Sequence, residues 1–438
     1  MMRRFLLIGL FVVSLSACDT WLGEEEAPPL PGERISVLLH ERNLKPDPEV
    51  ANTEILLPPP APNIEWPQAG GFANHAMHHI QIGENLSKAW RVSVGSASDE
   101  SERIVAQPIV ANGKIFTLDS ENTVSAFNAD TGKKIWELDL TPEHEDNGHI
   151  SGGLAYENGR LFVATGFAIL FGIDANTGKT IWVSKADAPM RAAPTARGNR
   201  VFVITLNNEL IAFDGRDGEK LWNYQGITET ASILGGASPA VDQGVVVAAF
   251  SSGDLVALEV ENGNMVWADS LTGARRTDAV SALTAIRGRP IIDRGRVYAI
   301  SNSGTFVSID LKTGQRYWSQ ELSSQETPWI AGDYLYVVTP DAELVCANRL
   351  DGRIYWVTTL PRWEDVEERK GNLTWSTPIL VSDRLIIAGS NEEAYSISPY
   401  TGEILGRVEM PDRIIVPPFA ANGMLYFLSD GADLVAYR

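Results

Sequence analysis

Three histidines within five residues form the densest group of potential metal ligands in the sequence. They are His75, His78 and His79. Imidazole is a common zinc ligand, but a structural zinc site needs four ligands and usually includes cysteine or a second histidine pair. No cysteine lies near this tract, and no other histidine pair has a matching spacing. We therefore expect a surface loop here, and we predict no metal-binding residues.

The two cysteines are Cys18 and Cys346, which is too few for a disulfide framework or a cysteine-based metal site. Cys346 lies in an alternating stretch typical of a strand, so we expect a small buried core residue. Serine, histidine and aspartate have no spacing that argues for a catalytic triad. Glycine pairs such as Gly70-Gly71 follow no strand-to-helix junction, so they predict no phosphate loop. We predict no catalytic residue and no cofactor-binding residue.

The N-terminus has the pattern of a secretory signal. Two arginines precede an apolar run from Phe5 to Leu15, and eleven residues are too few to span a bilayer, which takes about 20. The following Leu15-Ser16-Ala17-Cys18 resembles a lipobox, the motif of bacterial lipoproteins. The resemblance implies that residues 1–17 are removed and that Cys18 carries the lipid. Asp19 resembles an inner-membrane retention signal of enteric bacteria, so the choice of membrane stays open.

Residues 18–63 differ in composition from the rest of the chain. Three consecutive glutamates and two proline-rich stretches lie in this segment. Such sequences are extended and lack a packed core. We predict a lipid-anchored linker over 18–63, with a docking strand at 35–39 as an alternative for that short apolar run. The folded body is then 64–438.

The charge of the chain limits its partners. The sequence holds 36 Lys and Arg against 56 Asp and Glu, a net charge of −20. Such a surface repels phosphate backbones, so we expect no nucleic-acid partner. It also opposes broad adhesion to anionic lipid, which leaves the lipid anchor as the attachment to the membrane.

A short motif recurs along the body. A turn residue (Thr, Asp or Asn) and a glycine are followed, four residues after the glycine, by tryptophan. The tryptophans are Trp136, Trp182, Trp222, Trp267, Trp318 and Trp356, and Gly406 stands at the same place after Gly402. Successive positions differ by 38 to 51 residues. Such a period predicts a β-propeller or a helical array.

The residues between the motifs favour strands. In the first full unit, 114–119 and 123–127 alternate in polarity, with turns at Asn112-Gly113 and Asp130-Thr131-Gly132. Four short strands joined by such turns make one propeller blade. We expect the tryptophans on the outermost strands, as structural contacts between neighbouring blades.

The two ends of the body complement each other. A tryptophan strand around Trp90 has no three strands before it, and the last strand, 433–438, has no fourth strand after it. We expect the N-terminal strand to complete the C-terminal blade, which would close the ring and remove open sheet edges. The predicted fold is all-β, an eight-bladed β-propeller of four-stranded blades.

These repeats resemble the quinoprotein-like Trp-docking propellers, over residues 64–438. The stretch Trp66-Pro67-Gln68-Ala69-Gly70-Gly71 resembles a segment common at their N-terminal start. Two branches compete. Quinone-dependent alcohol dehydrogenases carry a vicinal cysteine pair, a calcium site and a catalytic aspartate, whereas Cys346 is flanked by Val345 and Ala347 and no dense calcium loop is present. The lipobox, the size and the lack of other domains favour the BamB family, lipoproteins of the outer-membrane β-barrel assembly machinery. A generic periplasmic protein-binding propeller is the other alternative.

The resemblance implies a non-enzymatic scaffold at the periplasmic face of the outer membrane, in the barrel-assembly complex. In the BamB family two loops bind the periplasmic domains of BamA. The first corresponds to 231–235, where Leu234 replaces the family's arginine. The second corresponds to 278–284, which lacks the family's aspartate pair. We predict that the partner-binding residues are Ile233, Leu234, Asp278, Leu283 and Arg287.

Overall fold

The computed structural model describes residues 44–99, 102–145, 149–229, 235–272 and 285–438. Residues Lys45–Arg438 form one compact unit. The described residues hold strands and no helix, and thus no helix long and apolar enough to cross a bilayer. In chain order the strands are β1 (Ala61–Pro62), β2 (Ile80–Gln81), β3 (Lys88–Ser93), β4 (Ile109–Ala111), β5 (Lys114–Leu118), β6 (Thr123–Asn128), β7 (Lys134–Asp139), β8 (Gly153–Glu157), β9 (Arg160–Ala164), β10 (Ile169–Asp174), β11 (Thr180–Lys185), β12 (Thr195–Arg197), β13 (Arg200–Ile204), β14 (Glu209–Asp214), β15 (Lys220–Gln225), β16 (Ala240–Asp242), β17 (Val245–Ala249), β18 (Asp254–Glu259), β19 (Met265–Ser270), β20 (Ile291–Asp293), β21 (Arg296–Ile300), β22 (Phe306–Asp310), β23 (Arg316–Gln320), β24 (Trp329–Ala331), β25 (Tyr334–Val338), β26 (Glu343–Asn348), β27 (Ile354–Thr359), β28 (Trp363–Asp365), β29 (Lys370–Asn372), β30 (Ile379–Val381), β31 (Arg384–Ala388), β32 (Glu393–Ile397), β33 (Ile404–Glu409), β34 (Phe419–Ala421), β35 (Met424–Leu428) and β36 (Asp433–Tyr437).

These strands form the sheets of a β-propeller. Seven sheets have four antiparallel strands each: β4–β7, β8–β11, β12–β15, β16–β19, β20–β23, β24–β27, and β34–β36 together with β3. Strands β30–β33 belong to a sheet of six, in which β2 and then β1 add to the edge at β30. Strands β28 and β29 form a separate hairpin.

The prediction of eight four-stranded blades is wrong. Among the described residues there are seven four-stranded blades, and the repeat that contains Gly402 lies in the six-stranded sheet instead. The cause is a pairing outside the repeats. Ile80 pairs in parallel with Val381, and Ala61 pairs in parallel with Ile80. Val381 lies hundreds of residues after Ile80, and β1 and β2 lie before the first repeat, so the period of the repeat does not predict either pairing.

Local turn chemistry sets the shape of each blade. At the first turn of the first full blade, Asn112 and Gly113 have φ of 50° and 69°, the left-handed pair that a type I′ hairpin requires. At the outer turn, the Asn128 side chain accepts a hydrogen bond from Thr131 N at 2.9 Å. The outer strand β7 is only partly buried, while β5 is buried along nearly its whole length. The blades therefore pack through their inner strands and through the tryptophans of their outer strands.

Each tryptophan of the motif packs on the glycine of the next blade's outer turn. A β-carbon added at Gly178, for example, would lie 2.7 Å from Trp136. Six of the indoles also donate a hydrogen bond to a backbone carbonyl of the next blade, such as Trp136 Nε1 to Ala175 O at 3.2 Å. The prediction that these tryptophans are contacts between blades is confirmed.

The ring is closed by β3. It pairs antiparallel with β36, with Trp90 opposite Ala436 and Ser93 opposite Asp433. Arg91 and Asp433 form an ion pair at 2.5 Å across this seam. The N-terminal strand therefore completes the C-terminal blade, as the two unmatched strands of the sequence predicted.

Residues 63–80, which we call the axial segment, circle one end of the propeller axis. They form hydrogen bonds with residues in or directly beside the innermost strand of every sheet of the ring. The contacts run, in order, from Asn63 to Asn422, Trp66 to Val110, Pro67 to Tyr156, Gln68 to Ala196, Ala73 to Val241, Asn74 to Ile292, His78 to Trp329 and Ile80 to Ser382. This end of the axis is therefore covered by the chain itself.

Candidate functional site

Most of the residues predicted to bind a partner lie outside the described residues. These are Ile233, Leu234, Asp278 and Leu283, and the lipidation residue Cys18 lies outside them as well. The described residues directly after the two loops, Gly235 and Ala285, border cavities near the propeller axis. Both loops therefore rejoin the described chain at the end of the axis opposite the axial segment.

This end of the axis opens into a depression that we call the axial cavity. Its outer part has a volume of about 450 Å³, and its lining includes Ile104, Val105, Trp375 and Ile415. Its inner part, about 70 Å³, reaches Gly152, Gly236 and Pro417. Small residues let the blades approach closely here: a β-carbon at Gly152 would lie 2.2 Å from Ala192 O. Small ligands bind in concave openings of this kind.

Arg287 is the one predicted partner-binding residue that the structure describes. Its guanidinium lies in the wall of the axial cavity, where it forms an ion pair with Glu326. It also donates to the carbonyl of Gln325 at 3.3 Å. The other carboxylate oxygen of Glu326 accepts a hydrogen bond from the Thr377 hydroxyl at 3.0 Å. Both oxygens of Glu326 are thus engaged, and Arg287 is held in the cavity wall.

Two further arginines border the inner part of the axial cavity, Arg191 and Arg289. Within the described part of the chain, neither side chain has an ion pair, and the Nε atom of each is buried without a hydrogen-bond partner. Burial lowers the pKa of Arg289 to about 10; nearby Glu326 opposes this decrease, and Arg287 adds to it. The Arg289 guanidinium is therefore charged at neutral pH, and no described carboxylate forms an ion pair with it or with Arg191.

The floor of the axial cavity lies against the axial segment. A β-carbon added at Gly70 would meet the Cδ2 atom of His75 at 3.1 Å and the Cδ atom of Arg289 at 3.2 Å. His75 is 4% exposed, and its Nδ1 lies 2.8 Å from Pro290 O. Burial lowers the pKa of His75 to about 3, and the charge of Arg289 contributes to this decrease. His75 is therefore neutral, and its ring and the stem of Arg289 both pack beside Gly70.

The expectation that the histidine tract is a surface loop is wrong. His75 and His79 are both buried. His79 Nδ1 lies 2.7 Å from Pro58 O, its Nε2 accepts from Asp383 N at 2.9 Å, and His78 pairs with Asp293 at 3.3 Å. The three rings thus have separate partners. Among the described residues, no group of three or more His, Cys, Asp or Glu is placed to hold a metal ion.

The charge of the axial cavity is opposite to that of the chain. Its described lining includes five arginines and two carboxylates, namely Arg103, Arg191, Arg287, Arg289, Arg413, Glu326 and Asp430. The whole chain has 36 basic against 56 acidic residues. Burial also raises the pKa of Asp430, although Arg413 and Arg103 oppose this. The acidic surface of the protein repels an anion, whereas the basic lining of this cavity attracts it.

Four of these arginines were not predicted from the sequence, although the sequence holds a signal for Arg289. Seven innermost strands directly follow a proline. The residues before those prolines are Gln107, Ala193, Ser238, Arg289, Thr327, Thr377 and Pro417. Arg289 is the only charged residue in this set. Aligning the repeats on the proline, rather than on the tryptophan, would have singled it out.

Comparison with known proteins gives a consistent result. The family model described as outer membrane protein assembly factor BamB matches residues 87–147 and 120–358. The outer membrane protein assembly factor BamB of Vibrio cholerae is 30% identical over 334 residues, covering 76% of this chain and 83% of its own. The crystal structure of BamB from Moraxella catarrhalis superposes with a TM-score of 0.69 at 20% identity, covering 81% of this chain and 100% of its own.

The dehydrogenase branch shares the fold alone. Quinohemoprotein alcohol dehydrogenase from Comamonas testosteroni superposes with a TM-score of 0.65 at 13% identity, covering 86% of this chain and 81% of its own. Identity at this level does not carry an activity across a widely used fold. The family model and the 30% identical relative do carry a family, and it is a family of assembly factors rather than enzymes, as predicted. The chain belongs to the BamB family of outer membrane protein assembly factors.

Proposed function

We propose that this protein is a lipid-anchored scaffold of outer-membrane β-barrel assembly that binds the periplasmic domains of BamA. The observation that carries the proposal is the family match over most of the propeller. The geometry supports one face for the contact. The axial segment covers one end of the axis, while the predicted partner loops rejoin the ring at the other end, beside the axial cavity.

The proposed contact combines apolar and basic groups. Ile233 and Leu234 supply apolar side chains, and the arginines of the cavity wall lie next to Gly235. A partner with an apolar groove and an acidic rim suits this arrangement. Burying two such aliphatic side chains contributes roughly 3–6 kcal/mol when burial is complete.

Capture of purified BamA periplasmic domains tests this contact. The Ile233→Asp, Leu234→Asp double variant should fold like the parent but lose most of its capture, because two charges would enter an apolar contact. Leu350→Asp is the matched control: Leu350 is 54% exposed in an outer turn, on the face that the axial segment covers. Far-UV circular dichroism checks the fold of each variant. Unchanged capture by the folded double variant would show that the contact lies elsewhere.

The lipid anchor is a separate part of the proposal. Cys18→Ser removes the sulfur that would carry the lipid, so the variant should accumulate as unprocessed precursor or as soluble periplasmic protein. Membrane fractionation after a salt wash gives the measurement. Normal processing together with retention at the membrane would contradict the anchor. Separating inner from outer membranes would decide the effect of Asp19.

A further inference from the structure

The unpaired arginines of the axial cavity are the least explained feature of the described structure. Both side chains are only partly buried, but the Nε atom of each is buried without a hydrogen-bond partner, and an unpaired buried donor is costly. Glu326, the carboxylate that borders the inner part of the cavity, already contacts Arg287 and Thr377. Arg191 and Arg289 therefore border the cavity without an ion pair to any described carboxylate.

Packing alone does not explain Arg289. Its stem contacts the region of Gly70 and His75, a role that an apolar side chain of similar length would also fill. The other residues at the same place before the innermost strands are small or neutral, such as Ala193, Ser238 and Thr327. The guanidinium therefore needs an explanation beyond the fold. A planar group with several donors matches the two oxygens of a carboxylate.

We propose that the axial cavity is a binding site for a carboxylate carried on an apolar body, with Arg289 and Arg191 as the residues that bind the carboxylate. The inner part, about 70 Å³, holds several water-sized groups and borders both arginines. The outer part offers an apolar wall from Ile104, Val105 and Trp375. Arg103 and Arg413 at the rim attract an anion toward it.

A titration of the purified protein tests the site without any partner. The probe is benzene-1,3-dicarboxylate, and benzene-1,3-dicarboxamide is the uncharged control of the same shape. Calorimetry at constant ionic strength should show saturable binding of the dicarboxylate and none of the dicarboxamide. Absence of saturable dicarboxylate binding would overturn the proposal.

Substitutions assign the binding to the arginines. Arg289→Met keeps the stem that packs on the axial segment but removes the charge, and it should weaken dicarboxylate binding roughly tenfold to a hundredfold. Arg191→Met should act in the same direction. Arg216→Met is the matched control, because Arg216 pairs with Asp214 on an outer turn. Wild-type affinity in a folded Arg289→Met variant would overturn the assignment, whatever that variant's stability.

The carboxylate could be a free organic acid or an acidic side chain of a bound partner, and competition separates the two sources. Only this competition experiment depends on the proposed function. If the dicarboxylate displaces captured BamA domains from the wild-type protein, the natural carboxylate belongs to the partner. If it binds without displacing them, the ligand is a free small molecule. Loss of the BamA contact itself would leave the titration unaffected, so the two proposals fail separately.

Discussion

Trp66 connects the axial segment to the ring, and its replacement by alanine should be among the most damaging single changes in the body. The side chain is 1% exposed. It stacks on Trp329 with ring centroids 6.3 Å apart and tilts against Phe419 at the same distance. Its Nε1 donates to Gln107 Oε1 at 3.3 Å. These neighbours belong to three different blades, so Trp66 fills space that no single blade can fill.

The expected cost follows from this burial. An aromatic side chain of this size buries about 150–250 Å², or roughly 4–6 kcal/mol at about 25 cal/mol per Å². Alanine keeps the β-carbon, and the site relaxes partly, so the free energy of unfolding should fall by about 3–5 kcal/mol. The hydrogen bond adds little, because Gln107 Oε1 still accepts from Gly70 N at 2.7 Å.

Equilibrium urea unfolding followed by far-UV circular dichroism measures this loss. Trp363→Ala is the matched control: Trp363 lies half-buried in the β28–β29 hairpin and contacts the Arg362 guanidinium at 5.2 Å. That change should cost less than about 1.5 kcal/mol. Hydrogen exchange should also show faster exchange of amides in 63–80 in the Trp66 variant. A Trp66→Ala protein as stable as the Trp363→Ala control would refute the view that the axial segment is held by this side chain.

Three further predictions concern charge and closure. The pKa of His75 is about 3 in the folded protein, mainly because of burial and then because of Arg289, whereas it is about 6.5 in the unfolded chain. The contribution of His75 to the free energy of unfolding is therefore fully present above pH 6.5, and it falls by about 1.4 kcal/mol per pH unit between pH 6.5 and 3. His75→Gln should flatten this part of the curve of unfolding free energy against pH, and an unchanged slope would contradict the buried neutral ring. Arg349 is 2% exposed and forms an ion pair with Asp293 at 2.5 Å, so Arg349→Leu should cost about 3–5 kcal/mol in denaturant unfolding. His78 still pairs with Asp293 in that variant, so adding Asp293→Asn should recover only part of the cost; no recovery would mean that the lost packing, not the lost charge partner of Asp293, sets the cost. Deleting 433–438 removes β36 from between β35 and β3, so size-exclusion chromatography should show aggregation, whereas a monomer that melts like the parent would contradict the closure.

The sequence predicted features that depend on short stretches of chain. The Asn112-Gly113 turn, the outer turns and the spacing of glycine and tryptophan each lie within a few residues, so their chemistry is visible in one repeat. Closure of the ring was also predictable, because the unmatched strand at Trp90 and the unmatched strand at 433–438 are complementary halves of one blade. Burial of Cys346, which is fully buried in β26, follows from strand alternation in the same way.

The features that sequence analysis missed depend on contacts between distant residues. Strands β1 and β2 have two residues each, too few for any pattern, and they exist only because β30 offers an edge. Gln68 exchanges two hydrogen bonds of 2.8 Å with Ala196, 128 residues away. The axial segment has the polar composition of a surface loop. It is nevertheless held in the fold, because its backbone groups form hydrogen bonds with the ring rather than with a sheet of its own. Four arginines of the axial cavity were missed for a related reason: Arg103, Arg191, Arg289 and Arg413 each come from a different repeat, and only the closed ring brings them together.

Ring closure also explains the one repeat that lacks its tryptophan. Trp90 and the six tryptophans of the motif, up to Trp356, each pack on the glycine of the outer turn that follows in the next blade, from Gly132 to Gly402. Gly406 occupies the tryptophan position of β33, opposite Ser396, and a β-carbon there would meet nothing within 4 Å. The next blade around the ring is the one closed by β3, in which β36 and β3 come from opposite ends of the body and no outer turn joins them. An indole at 406 would have no such glycine to pack on, so a tryptophan at this position would not stabilise a contact between blades. Seven tryptophans and seven turn glycines therefore form a complete set of pairs, and the missing tryptophan marks the seam of the ring.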